Sequence, residues 1–270
     1  MNRAGGAARA VGIDVGGTKI AAGLVDCESG RILAREELPT RPDRGGEAVL
    51  ADCAALAASL GEGRVPVGVG LCEVVDLDGR PASADTIDWR GFDVAGAFAA
   101  PRVVLESDVR AAARAEARFG AGADRSPFLH VVVGTGASAC LVVDGEPYSG
   151  ARGRAIVLGA PPVEEVASGR ALTRRAGVER AEEVLADPAR TRLVDEAAAA
   201  LGQVLAVLAN ALDPELLVLG GGLGNEPSFR ERVATVIHSG IAYPSTPPLE
   251  IVGSRLGTDG GVVGAALAAR

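Results

Sequence analysis

The run Asp14-Val15-Gly16-Gly17-Thr18-Lys19 gathers successive backbone amides, one hydroxyl and one cation into a tight turn. Glycine lets the chain approach an anion closely, and consecutive N–H groups form a concavity suited to phosphate oxygens. Lys19 is the only lysine in the chain, all other basic residues being arginine. A compact ammonium suits such a turn better than a guanidinium fork, although an arginine-biased composition would leave a lone lysine by chance as well. Asp14, at the end of the preceding strand, is suited to hold Mg²⁺ directly or through water, as triphosphate transfer requires. A plain hairpin could carry the same residues, so this loop is ambiguous by itself. A second glycine turn, Gly134-Thr135-Gly136, weighs against the plain hairpin. So does a third, Gly220-Gly221-Gly222 with Asn225 beyond it, which closes the apolar run Leu217-Val218-Leu219. Nucleotides commonly sit at strand ends in α/β sheets, and glycines there let a flat ring lie on the backbone. That third run is neither GxGxxG nor GxxxxGK[ST], so it is not a dinucleotide or P-loop signature. One further acid stands at a strand-to-helix junction, Asp108 in Leu105-Glu106-Ser107-Asp108; a carboxylate there is electrostatically favoured and can simply cap the helix.

The elements that must position these residues show an internal repeat. Val11–Leu33 runs apolar strand, glycine turn, apolar strand, Val25-Asp26 and a turn; His130–Tyr148 repeats that order with Val143-Asp144. Two such hairpins about 120 residues apart predict a duplicated α/β fold with a cleft between its halves. Around them, helical periodicity marks Glu47–Leu60, Val109–Phe119 (with arginines on its polar face), the alanine-rich Thr191–Leu212 and Gly260–Ala269. Another helix is expected to start near Ser228. Short apolar strands are expected at Val65–Leu71, Val103–Leu105, Glu215–Leu219 and Leu249–Val252. The expected division is a first lobe of residues 10–106, completed by the C-terminal helix 258–270, and a second lobe of residues 107–257.

Composition bounds the function. A net charge of -8 argues against a phosphate-tracking nucleic-acid binder, which would need a basic face. Cys27, Cys53, Cys72 and Cys140 form no CxxC pair, a spacing that suits a reducing compartment better than a disulfide framework or a zinc site. No apolar region follows the N-terminal MNRAGGAARA, and no apolar run approaches the roughly 18–20 residues of a membrane span. The expectation is a soluble, cytoplasmic chain without membrane or nucleic-acid partners.

Together the three loops resemble the ATP-binding apparatus of the ROK family of sugar kinases and repressors, within the actin/hexokinase-like superfamily. DVGGTKIAAGLVD is similar to the family's first phosphate motif, VVGTGASACLVVDG to its second and LDPELLVLGGGL to its adenosine motif; VASGRAL (Val166–Leu172) and GTDGGVVGAALA (Gly257–Ala268) match further family segments. The resemblance implies a duplicated actin-like (ribonuclease H-like) α/β fold of two lobes. It also implies ATP and Mg²⁺ as cofactors, a homodimer, and Asp108 as the base that takes a proton from a substrate hydroxyl, the helix start keeping it ionised. A repressor would need a DNA-binding module ahead of the first motif, for which the expected start leaves no room.

Several positions depart from the family pattern. Ser107 stands for the asparagine before the base, Val157 for a sugar-binding glutamate and Ala160 for a histidine; the cysteine-rich zinc segment is missing, so no structural zinc is expected. Cys72-Glu73 replaces a Pro-Gly pair, which makes Glu73 either an acid at a pocket wall or a surface residue. Glu164 stands either for another sugar-contacting glutamate or for a solvated acid, as does Glu165. Trp89, in TIDWRG, is expected in the core. Loss of polar sugar contacts, with buried unpaired groups worth about 1–3 kcal/mol each, argues against glucose. The expectation is an ATP-dependent phosphotransferase acting on a small polyol, an aminosugar or cyclitol in preference to glucose. The alternative is a catalytically silent nucleotide- or sugar-binding sensor.

Overall fold

A computed structural model describes residues 8–158 and 161–270 of the chain. Two compact units divide it: one runs through Phe119 and takes in Ser149–Arg154 and Thr258–Arg270, and the other comprises Gly120–Tyr148 and Ala155–Gly257. The break at Phe119 lies one helix beyond the boundary expected near Glu106.

In the first unit, β1 (Arg9–Val15), β2 (Lys19–Asp26) and β3 (Arg31–Pro39) form an antiparallel meander. Helix α1 (Gly46–Gly61) follows, then β4 (Val67–Leu71), β5 (Val103–Ser107) and α2 (Asp108–Phe119). β4 and β5 extend the sheet parallel to β1, in the order β3-β2-β1-β4-β5. Helix α1 buries Val49, Leu50, Cys53, Leu56 and Ala57, a helical spacing that points one face at Val11, Ile13 and Val69 in the core cluster. Trp89 joins that core, as the sequence predicts.

The second unit repeats the plan. β6 (Phe128–Val133), β7 (Ala137–Val143) and β8 (Glu146–Pro147) form the meander. Helices α3 (Pro161–Val166), α4 (Gly169–Ala176), α5 (Ala181–Ala186) and α6 (Thr191–Leu212) precede β9 (Leu216–Gly220). Then come α7 (Gly221–Gly224), α8 (Pro227–Gly240) and β10 (Glu250–Gly253). The order β10-β9-β6-β7-β8 matches the first sheet strand for strand, with β9 parallel to β6 and to β10. The internal repeat read from the two glycine hairpins is thus a repeat of whole sheets. Helix α6 corrects one expectation. By length and composition it could cross a membrane, yet Val194, Ala197, Leu201 and Leu205 lie in this unit's core, so its apolarity serves packing.

The chain returns to the first unit with α9 (Gly260–Ala268). This helix lies flush on the sheet and on α2 because glycines remove the intervening side chains. A Cβ at Gly68 would stand 1.7 Å from the Ala265 carbonyl oxygen, and one at Gly264 would stand 1.6 Å from that of Ala111. The tight α2–α9 pair explains why α2 belongs to the first unit. It also corrects the expected polar face of α2, since Arg110 is buried. Its guanidinium pairs with Glu106 and donates to the carbonyls of Gly153 (2.8 Å) and Val75 (2.7 Å), which satisfies a charge the tight packing hides from water.

Candidate functional site

In the first unit, Asp14 and Asp108 meet at the carboxyl ends of parallel strands. The register pairs Asp14 of β1 with Gly70 of β4, and Gly70 with Glu106 of β5, two residues before Asp108. A Cβ at Gly70 would lie 3.6 Å from both the Ile13 carbonyl oxygen and the Asp108 Cα, so only a glycine separates the two acidic strand ends. The Asp14 carboxylate rests on the first turn of α9, where a Cβ at Gly261 would come within 2.3 Å of its Oδ2.

Both acids are perturbed. Burial pushes the Asp14 carboxyl up to about 6, against the pull of the nearby Lys19 and Arg35 cations. Burial, and then the Asp14 charge, push Asp108 up to about 7, opposed by the Val109 N–H that donates to Asp108 Oδ1 at 2.6 Å. Their accessible surfaces are only partly covered, so solvent moderates these shifts. The expectation that a helix start alone keeps Asp108 ionised is therefore corrected. Desolvation and a like charge outweigh the helix terminus in the protein without cation.

Beside them the first glycine turn, Gly16-Gly17-Thr18, joins β1 to β2. Lys19 is exposed and its Nζ sits 3.0 Å from Glu37 Oε1, which also receives Arg35 Nη2 at 2.6 Å; Arg35 in turn pairs with Asp259. Exposed pairs of this kind are worth about 0–1 kcal/mol, so Lys19 can leave Glu37 for an incoming anion at little cost. Sequence reasoning missed Arg35. Its charge reaches Asp14 from β3, and nothing in the local sequence signalled that.

In the second unit the other two glycine runs come together. Register pairs Val132 with Gly220, and Gly221 has a φ of 79° with the Val133 carbonyl oxygen 2.5 Å from where its Cβ would be, a position only glycine takes easily. Asn225 donates its N–H to Gly221 O at 3.1 Å, closing the turn, and Gly222 lies between them. The Gly134-Thr135-Gly136 turn sits on the start of α4, whose Gly169 and Arg170 N–H groups donate to Gly134 O (2.7 Å) and Thr135 O (3.3 Å). Ser168 caps α4 by accepting from Ala171 N–H. Glu164 stands next to this turn: its Oε1 accepts the Ala137 N–H at 3.0 Å.

Asp14 offers one carboxylate donor to a divalent cation. Its hard carboxylate oxygens accept no hydrogen bond from any described residue and are disfavoured as a bare charge, which suits an Mg²⁺ ion. Among the described residues, no group of three or more His, Cys, Asp or Glu is arranged to hold a metal.

The ROK family model matches residues 10–164 and 162–270, which together span nearly the whole chain. This chain belongs to the ROK family. A glucokinase of Streptomyces coelicolor is 30% identical to this ROK protein over 96% of the chain and 97% of its own length. An N-acetylmannosamine kinase of Yersinia pseudotuberculosis is 28% identical over 97% and 98%. Among solved structures, a ROK family glucokinase from Streptomyces griseus, in complex with glucose and AMPPNP, superposes with a TM-score of 0.86 at 29% identity, covering 97% of this chain and 99% of that one. The fold of this ROK protein is accordingly the duplicated, two-lobe actin-like one.

Its departures from the family pattern resolve unevenly. Glu73 is neither a free pocket acid nor a surface residue. It is buried, and its carboxylate accepts the N–H groups of Asp85 (2.9 Å), Thr86 (2.7 Å) and Ile87 (2.9 Å) and pairs with the Ser83 hydroxyl. Ser107, expected to face substrate, is likewise occupied: its buried Oγ donates to Glu73 O (3.0 Å) and accepts the Val75 N–H (2.9 Å). A buried acid and hydroxyl must find internal partners, and the loop supplies them. Val157 is exposed and bridges to Ser138 near the second glycine turn, and Glu164 and Glu165 are exposed. Ala160 lies outside the described residues.

Proposed function

We propose that this ROK protein is an ATP- and Mg²⁺-dependent kinase that phosphorylates an alcohol of a small sugar-like acceptor. The observation that carries the reading is the Asp14–Asp108 pair at the strand ends beside the first glycine turn. In this reading Asp14 holds the cation, directly or through water, and the amides of Gly17 and Thr18 with the Lys19 ammonium receive phosphate oxygens, while Gly16, its N–H donated to Lys19 O, lets the backbone approach them closely. Mg²⁺ would neutralise the charge that builds on the transferring phosphoryl group. Gly134, Thr135 and Gly136 supply the second set of amides, and Gly220, Gly221, Gly222 and Asn225 border the adenosine. Asp108 accepts the proton of the acceptor hydroxyl; a base with a pKa near neutrality is well matched to that task.

Glucokinase and N-acetylmannosamine kinase relatives support a sugar as acceptor. Because the side chains of Ser107 and Glu73 are spent inside the protein and Val157 is apolar, the reading favours an aminosugar or cyclitol over glucose. Cys27, Cys53, Cys72 and Cys140 form no disulfide, which is in keeping with a cytoplasmic setting, and a homodimer is part of the proposal by family resemblance. The test is ADP release with Mg·ATP against a panel of hexoses, aminosugars and cyclitols. Acceptor-dependent release that Asp108→Asn abolishes supports the reading. Release from none of them would favour a silent sensor.

A further inference from the structure

The first glycine turn makes one hydrogen bond of its own, and a residue at the end of β3 makes two more to it. Thr40 follows β3 directly and is fully buried, which is unusual for a hydroxyl residue at the edge of a loop. Each of its polar groups is engaged. The Oγ1 donates to Gly16 O at 2.7 Å, the backbone N–H donates to Thr18 O at 3.0 Å, and the carbonyl accepts Arg44 Nη2 at 3.2 Å. The turn itself contributes one further bond, Gly16 N–H to Lys19 O at 3.0 Å.

The planarity of the peptide gives these contacts a direction. In a trans peptide, the carbonyl of one residue and the N–H of the next point opposite ways. Drawing the Gly16 and Thr18 carbonyls onto Thr40 therefore turns the Gly17 and Lys19 N–H groups away from it. Thr86 braces the turn at Gly17, where a Cβ would lie 3.2 Å from the Thr86 methyl, and Glu73 ties down the Thr86 backbone.

We propose that Thr40 is a positioning residue, which presets the Gly16–Thr18 turn so that its free amides face the phosphates of the nucleotide. The inference rests on the kinase reading and adds a residue that touches neither nucleotide nor acceptor. A glycine-rich turn without this tether would sample many conformations, and each binding event would bear the ordering entropy.

The test is calorimetric titration of Mg·ADP into the wild-type protein, Thr40→Val and Thr40→Ser, with melting curves showing each variant folded at the titration temperature. Valine keeps the shape and removes the hydroxyl; serine keeps the hydroxyl. The expected result is a Kd raised about fivefold to tenfold in Thr40→Val and within about twofold of wild type in Thr40→Ser. Equal affinity of Thr40→Val and wild type would overturn the inference while leaving the kinase reading standing. So would a serine variant as weak as the valine one, since packing and not the hydroxyl would then matter. A wild-type protein that does not bind Mg·ADP would instead remove the kinase reading, and this inference with it.

Discussion

Replacing Asp108 by asparagine takes one negative charge from a site that also holds the Asp14 carboxylate, and keeps an oxygen able to accept the Val109 N–H. The consequence for stability can be worked out from the shift. The folded protein raises the Asp108 carboxyl from 3.8 to about 7, so the ionised form is disfavoured by folding. Stability is then greatest at low pH, falls as pH rises between those two values, and bears the full cost above the upper one. Taken whole, the shift corresponds to about 4 kcal/mol, and solvent access at this part-exposed group reduces it to roughly 2 kcal/mol. For a chain of this size that is a rise in melting temperature of about 4–8 °C for Asp108→Asn at pH 8. At pH 5, where wild-type Asp108 is mostly protonated, the gain should be less than half as large. Scanning fluorimetry at both pH values in the presence of a chelator measures this directly. Turnover should fall by a factor of about 10² to 10⁴, the usual contribution of a general base. A variant that is stabler at pH 8 yet inactive is hard to explain by damage to the fold. A variant less stable at both pH values, or one that keeps its turnover, would refute the reasoning.

Three other variants follow from the same structure. Glu73→Gln gives up part of a carboxylate cradle of three amides and a hydroxyl, and should lower stability by about 1–3 kcal/mol, read as a drop in the urea midpoint. Gly264→Ala drives a methyl group into the Ala111 carbonyl, and should lower the melting temperature by the equivalent of about 1–3 kcal/mol or more because two helix backbones must separate. Lys19→Ala should raise the KM for ATP far more than that for the acceptor, whereas an unchanged nucleotide affinity would contradict the placing of phosphate at the first turn.

Local sequence made much of this protein legible. Thr191–Leu212 is a helix with the predicted ends, and the two glycine hairpins announced two sheets of one design. Those signals are short-range, since periodicity and turn chemistry act over a few residues. Burial was harder to read. Arg110 looked like a polar-face arginine and Glu73 like a pocket or surface acid, but both are inside, because the carbonyls that receive Arg110 lie 35–43 residues away in the chain and the donors to Glu73 lie 10–14 residues away. Helix α4 was not read from the sequence, and nothing local said that the Gly169 and Arg170 amides would support the second glycine turn.

By itself the sequence determined the inventory: which loops can face an anion, where a strand hands over to a helix at Asp108, and that the architecture is duplicated. Only the tertiary structure decided the state of those residues. Asp14 and Asp108 are 94 positions apart in the chain, and they share a site because β1, β4 and β5 align in parallel with a glycine between the two acids. Their raised pKa values, the sequestering of Ser107 and Glu73, and the tether from Thr40 all arise from desolvation and proximity. Those quantities come into existence only when distant segments pack.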